Sequence, residues 1–374
     1  MAMADSERLA RPGLPEIVRA VLSARPAASD IFFSPGRPAQ VAQDGSLVAV
    51  EVPGLGTLKT CDTASISLEL VAENSTAAAK LAQEGACDVS YAVPSLARFR
   101  ANIFSQRGSR AIVMRVIPTT VPQFESLGLP PQLGQIAGLL NGLVLVTGPT
   151  GCGKSTTLAA LVDKINRERA CHIITIEDPI EFLHSHRKAT VHQRELYSDT
   201  PSFAVALHAA MRQAPHVLMV GEMRDCETAE IALEAAETGH LVLSTLHTID
   251  ASKTVERIVG LFGSDQNVVR LRLARSFRYI ISQRLIPRPE GPGCVPAVEI
   301  LRSTVRTREY VEKGEGQGKT LIDAMRDGSL YGMQHMDGEI ERLVRGGQIE
   351  LRTGLGYATN PGNLELELSD MHHG

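Results

Sequence analysis

The chain has no tryptophan, and aromatics make up 4% of its 374 residues, so it is poorly supplied with the stacking platforms that single-stranded nucleic acid uses. No two of its six cysteines, at 61, 87, 152, 171, 226 and 294, form a C-x-x-C pair; neither a zinc module nor a thioredoxin-type motif is suggested. Scattered single thiols fit a reducing compartment. No apolar run approaches the ~20 residues that span a bilayer; the longest, Leu143–Val146 with its flanks, is far shorter. The opening segment, MAMADSERLARPGLPEIVRA, carries charges where a signal peptide needs its apolar stretch. Excess positive charge is missing too. With 42 acidic and 38 basic residues the net charge is −4, which gives no general attraction to DNA or an anionic membrane. A soluble, cytoplasmic protein is expected, with the 43% hydrophobic and 21% charged content of ordinary globular chains.

The length is too great for one ordinary core and predicts two domains. Residues 1–117 read as a small α+β domain. Its first helix, Leu14–Ser23, places Leu14, Ile17, Val18, Val21 and Leu22 at helical spacing. Extended stretches at Phe99–Phe104 and Ala111–Ile117 follow, with Gly108 punctuating a hairpin between them. Pro118, Pro122, Pro130 and Pro131 frame a stiff linker over 118–131. From 132 to 290 short apolar segments (Leu143–Thr147, His172–Ile176, Val217–Val220 and Leu241–Thr245) alternate with helical patterns at Ser155–Arg167, Ser202–Gln213 and Glu227–Glu237, the last with Asp225 as N-cap. Strands apolar on both faces belong to a parallel sheet buried between helix layers, so an α/β, doubly wound core is expected. Residues 291–374 read as a helical region, with glycine-rich turns at 314–318 and helices near Leu321–Arg326 and Met336–Val344.

The sequence GPTGCGKST at 148–156 fits G-x-x-x-x-G-K-[ST]. Gly148, Gly151 and Gly153, with Pro149, Thr150 and Cys152, let the backbone wrap closely enough to aim its N–H groups at phosphate oxygens. The helix that begins near Ser155 and Thr156 adds its positive end. Lys154 brings a mobile cation to the β- and γ-phosphates of ATP, and the Ser155 hydroxyl completes a Mg²⁺ shell. A strand before the loop and a helix after it satisfy the context this motif requires.

Hydrolysis also needs groups that orient water, meet the metal and sense the γ-phosphate. An open α/β sheet places such groups just past its strands. Glu177 and Asp178 follow the second core strand, Glu222 the third, and His247 the fourth, which His240 precedes. The competing reading of each carboxylate is a helix cap or solvated turn, and of His240 a packing or hydrogen-bonding role.

Four segments, GPTGCGKSTT, IITIEDPIEF (173–182), VLMVGEMRD (217–225) and TGHLVLSTLHT (238–248), resemble in order the Walker A, Asp box, atypical Walker B and His box of secretion and type IV pilus ATPases. The similarity runs from about residue 138 to 290, resumes at ASDIFF and GMQHMD, and is greatest to the retraction branch. The resemblance implies a RecA-like P-loop core with a PAS-like N-terminal domain that moves against it, assembled as a homohexamer. It makes Glu222 the Walker B glutamate near metal and water, Glu177 the Asp-box acid, and His240 and His247 the His-box residues. Arg100 and Arg115 fall where N-terminal arginines of the family reach the γ-phosphate, and a guanidinium fork suits phosphate oxygens. An inner-membrane platform protein is the implied partner, with no nucleic acid and with membrane association only through partners. A related ATPase is a further candidate partner.

The tetracysteine module of the extension-type relatives is missing, which favours retraction. Three family positions depart: STVRTREYV (303–311), Ala214-Pro215-His216 before Walker B, and Phe32 in place of a histidine. These departures leave open a subunit that retracts or one that assists. Between Gln266 and Pro289 six arginines (270, 272, 275, 278, 284 and 288) occur without an acid. They suit a subunit interface facing acids such as Glu234 and Glu237, a solvated helix face, or a phosphate-binding stripe, so a DNA-translocating motor is one alternative function. Others are a pilus-assembly or secretion ATPase and a ring subunit that binds ATP without cleaving it; a small-molecule kinase lacks an acceptor pocket or lid signature.

Overall fold

The computed structural model describes residues 11–43, 46–72, 74–94, 96–117, 120–263, 265–291, 293–316 and 319–369. The start of the expected linker at 118–119, Gly318 and the last five residues of the tail fall outside that set. The chain divides into two compact units. One ends at Thr120 and includes Glu181–Leu183; the other holds Val121–Ile180 and 184–374. Together they form a mixed α/β protein built on two sheets.

In the first unit α1 (Leu14–Ala24) buries Leu14, Ile17, Val18 and Val21 along one stripe. Strands β1 (Asp30–Phe33), β2 (Gln40–Gln43) and β3 (Ser46–Ala49) precede α2 (Thr60–Val71) and α3 (Ser75–Glu84), then β4 (Ala86–Val93), β5 (Ala97–Gln106) and β6 (Ser109–Ile117). The six strands form an antiparallel sheet in the order β3-β2-β1-β6-β5-β4. Strand β5 alternates: Phe99, Ala101 and Ile103 have no exposure, while Arg100 points to the opposite, solvated side. The β5–β6 hairpin turns through Arg107 and Gly108, with φ of 46° and 72°. Two consecutive positive φ values match the strand twist across a two-residue turn, and glycine takes the second at little cost.

The second unit carries β7 (Gly142–Thr147), α4 (Lys154–Glu168), β8 (His172–Glu177), β9 (Thr190–Glu195), α5 (Phe203–Ala210), β10 (Val217–Val220), α6 (Cys226–Glu237), β11 (Leu241–Leu246), α7 (Ala251–Gly260) and α8 (Gln266–Ser276). Then come β12 (Phe277–Pro287), β13 (Cys294–Arg302), α9 (Val305–Lys313), α10 (Leu321–Asp327), α11 (Met336–Arg345), α12 (Leu351–Tyr357) and α13 (Pro361–Glu367). Its seven strands run β13-β12-β7-β11-β10-β8-β9, all parallel except β13. Successive residues of β7 serve two cores: Leu143 and Leu145 pack towards α5–α8, Val144 and Val146 towards α4. Two-sided burial is why this strand reads as an unbroken apolar run.

The structure corrects the helical region expected from residue 291. That segment opens with the nine-residue strand β13, antiparallel to β12. Pro296 obscured it, because proline cannot donate to a ladder, yet on an edge strand no ladder bond need be lost. The sheet therefore continues past 290 to Arg302. Helices α11–α13 then close a separate apolar cluster around Ile286, Val295 and Ala297. Among the described residues no helix is long and apolar enough to cross a membrane.

Candidate functional site

The loop at 148–153 leaves the carboxyl end of β7 and turns into α4, whose first residue is Lys154 and whose N-cap, Gly153, has φ 87°. Gly148 has φ 141°, and a Cβ there would collide with the Gln283 carbonyl. Only glycine fits that approach. Lys154, 8% exposed, folds its ammonium back onto the loop and donates to the carbonyls of Gly148 (2.9 Å) and Pro149 (3.0 Å). Ser155 and Thr156 occupy the first turn of α4, where free backbone N–H groups and the helix dipole favour an anion. Beside the loop lies a cavity of about 380 Å³ lined by 149–152, Arg284, Leu285 and 356–358.

The loop is braced by a residue that carries no motif. Gln283, in the middle of β12, donates from Nε2 to the Cys152 carbonyl (2.6 Å) and accepts from Thr157 Oγ1 (2.9 Å). One strand position earlier, Thr147 donates to Ser282 Oγ at 3.1 Å. No spacing rule reveals such a brace from 131 residues away; only the pairing of β12 with β7 brings it there.

Strand register gathers three of the expected acid–base residues at one edge. Ile176, Val220 and Ser244 are level across β8, β10 and β11, and Leu246 is level with Thr147. Glu177, Glu222 and His247 therefore leave neighbouring strand ends beside the loop. Glu177 is 7% exposed and accepts from Thr175 Oγ1 (2.6 Å) and Gln193 Nε2 (3.0 Å). Glu222 holds Arg224 through Oε1 at 2.5 Å, while its Oε2 stands 3.5 Å from His247 Nε2. That Oε2 atom is buried and makes no hydrogen bond among the described residues, which fits an oxygen meant for a cation or a water. The hydrogen bond to Glu222 lifts the Arg224 guanidinium above its usual range. Arg224 escaped the sequence reading because it lies beyond a two-residue turn whose direction no pattern reveals.

His240 lies elsewhere. It precedes β11, and its carbonyl accepts from Gly142 at the start of β7. The six residues of β11 separate it from His247 by roughly 20 Å. Its ring instead meets the Ala235 carbonyl (3.0 Å) and Thr238 Oγ1 (3.3 Å), closing the end of α6. Arg100 and Arg115 belong to the first unit. They are direct partners across the β5–β6 ladder and pair with Asp88 (3.4 Å) and Asp30 (2.9 Å).

The arginine-rich segment is spread over two elements and the loop beyond them. Arg270, Arg272 and Arg275 sit on α8, Arg278 and Arg284 on β12, and Arg288 beyond it. Arg272 meets Glu237 of its own chain at 3.0–3.2 Å. Arg278 turns back to carbonyls of 275–277 and to Asn141, and Arg284 reaches the Tyr357 carbonyl. The helix-to-strand change at 276–277 places these arginines, Arg288 apart, on two successive elements.

Residues 6–347 match the family described as Type II/IV secretion system protein. The chain is 40% identical to the type IV pilus retraction ATPase PilT of Pseudomonas aeruginosa, over 91% of this chain and 97% of that protein. It is 36% identical to the type IV pilus ATPase PilU of the same organism, over 90% and 87%. A crystal structure of the pilus retraction motor PilT with bound ADP superposes with a TM-score of 0.85 at 40% identity, covering 95% of this chain and all of that one (100%). Both the ordered motifs and a likeness that extends through nearly the whole length lead to one assignment: this chain belongs to the type II/IV secretion system protein family and is an ATPase of that family, similar to pilus retraction motors.

Proposed function

We propose that the chain is the ATP-hydrolysing retraction motor of a type IV pilus, working as a homohexamer in the cytoplasm at an inner-membrane platform protein. The observation that carries this reading is the P-loop at the head of α4 with Glu222, whose Oε2 makes no hydrogen bond among the described residues, and His247 at the adjoining strand ends, in a chain 40% identical to a retraction ATPase along 91% of its length. On this reading the seven-stranded sheet, parallel except for β13, belongs to a RecA-like core, 132–290 extended to Arg302, and the antiparallel sheet before the 118–131 linker to a PAS-like domain.

Residues 148–156 hold the phosphates, with Lys154 leaving the loop carbonyls for β- and γ-oxygens. The Ser155 hydroxyl and Glu222 would hold a magnesium ion, which would neutralise charge on those oxygens when bound. Glu222 Oε2 accepts a hydrogen bond from the attacking water, and His247 sets its direction. Glu177, held by Thr175 and Gln193, keeps a second carboxylate at the same edge. His240 serves the chemistry only through the end of α6. Arg100 and Arg115 form a fork for the terminal phosphate; loss of that phosphate releases them, and turnover becomes movement of the first unit.

Steady-state phosphate release by the purified chain with ATP and magnesium tests the reading, with Glu222→Gln as control. Turnover that survives the substitution refutes the role of Glu222. Deleting the gene tests direction: hyperpiliated, immobile cells indicate retraction, and bald cells indicate assembly.

A further inference from the structure

We propose that Glu299 is a positioning residue for the nucleotide site, whose buried carboxyl ties the His247 loop and the C-terminal helices to one point of β13. The proposal rests on the reading that Glu222 and His247 serve the terminal phosphate.

Glu299 lies mid-strand with 3% exposure, between the fully buried Val298 and Ile300, and pairs with Ser282 of β12 beside the brace Gln283. A carboxyl in such a place is costly unless hydrogen-bonded. Its partners are backbone amides at the starts of two helices. Ala251, first residue of α7, donates at 2.8 Å, and Met336, first residue of α11, donates as well. Both are positive helix ends, which suit an acceptor oxygen. An apolar residue at 299 would leave both amides buried without partners.

Each arm leads to a different wall of the site. The loop from His247 to Asp250 is fixed upstream, where Met223 N donates to the Thr245 carbonyl (3.2 Å), and downstream at Ala251 by Glu299. The distance from His247 to Glu222 depends on both fixings. On the other arm, Asp337 in the first turn of α11 accepts from Thr359 N (2.6 Å) and Asn360 N (2.8 Å). That turn continues directly from 356–358, which line the cavity beside the phosphate loop. One carboxyl thus joins the hydrolytic edge to the opposite wall. Burial pushes the Glu299 carboxyl up to about 7, the two amides opposing; Asp250, the N-cap of α7, raises it further and Arg284 on β12 lowers it. Arg326, His335, Asp337 and Glu367 complete the charged lining of the small cavity it faces.

The test uses the full chain with Glu299→Gln and Ala251→Pro. Glutamine keeps the shape but replaces one acceptor oxygen with an NH2 donor. Proline at the first position of α7 removes one donor and is tolerated there, and Asp250 already has the extended backbone (φ −153°, ψ 171°) that a following proline requires. Both variants should retain the thermal unfolding of a folded chain, keep KM for ATP within about twofold and lose kcat about tenfold, as a displaced catalytic loop predicts. Hydrogen exchange should quicken over 247–254 in both, and also over 336–340 in Glu299→Gln. A merely structural role would lower the unfolding temperature and leave kcat of the folded protein unchanged. Unchanged kcat in Ala251→Pro, or unchanged exchange over both segments in Glu299→Gln, overturns the proposal. A wild-type chain without ATP turnover instead overturns the motor reading, and the exchange comparison alone then decides the Glu299 link.

Discussion

Arg100 and Arg115 stand directly opposite each other across the β5–β6 ladder, two guanidiniums on one solvated face, each drawn to its own aspartate. Like charges in direct cross-strand register are unfavourable, a cost the two aspartates offset; under the proposed function the pair also meets the terminal phosphate. Replacing either with alanine should reduce ATP turnover by about 1,000- to 100,000-fold, the range of arginine contacts to a transferring phosphoryl group. Affinity for ADP, which lacks the terminal phosphate, should stay within about twofold. Lysine should rescue poorly, because a point charge does not reproduce the fork. Turnover assays and ADP titration of both alanine variants check this.

Glu222→Gln should retain nucleotide yet lose turnover by about 100-fold or more, as removal of a positioned base or water acceptor does. Arg224→Ala touches only Oε1 and leaves Oε2 in place, so its effect should stay within about tenfold. Parallel measurement of nucleotide retention and phosphate release separates the two outcomes.

Two substitutions probe the cradle itself. Gly148→Ala places a methyl group against the Gln283 carbonyl and Cys152 Sγ at φ 141°; it should abolish nucleotide retention and destabilise the fold by about 1–3 kcal/mol. Gln283→Ala leaves Thr157 Oγ1 and the Cys152 carbonyl without their partner, at about 1–3 kcal/mol. It should weaken ATP binding although Gln283 lies outside every motif. Thermal unfolding with and without ATP reads both effects.

Glu299 predicts a pH dependence of stability. Burial disfavours its charge and pushes the carboxyl up from the usual 4.5 to about 7. The folded chain then keeps a proton that the unfolded chain has released. The stability this proton confers is complete below pH 4.5 and is lost as pH rises to about 7. Relative to wild type, Glu299→Gln should gain on the order of 3 kcal/mol over that window and nothing further above it. Denaturant unfolding of both proteins across this pH range is the measurement.

The parts of the second unit that were legible are those where burial imposes a simple pattern. Strands β7, β8, β10 and β11 lie between two helix layers, so every position is apolar, and the loop glycines, Glu177, Glu222 and His247 follow from where these strands end. Strand β9, with the polar sequence TVHQRE, covers an edge and shows no such run. Strand β12 was hidden by its own chemistry: Gln283 and Arg284 interrupt the apolar run because one braces the phosphate loop and the other ties down the Tyr357 carbonyl. Asp225 was visible as a cap, and it accepts from Thr228 N at 2.8 Å. His240 was grouped with His247 by its motif, but a strand with a functional carboxyl end keeps its amino end remote.

The brace from β12 also sets when the cradle can exist. Strand β7 and its loop emerge early during synthesis, but Gln283 must arrive, and β12 is itself an open edge until β13 pairs with it through Arg302. A chain released at residue 290 would carry all four nucleotide motifs and Gln283, yet leave β12 an unpaired edge and the brace less firmly held. A nascent subunit would therefore hold its complete nucleotide cradle only once β13 has left the ribosome.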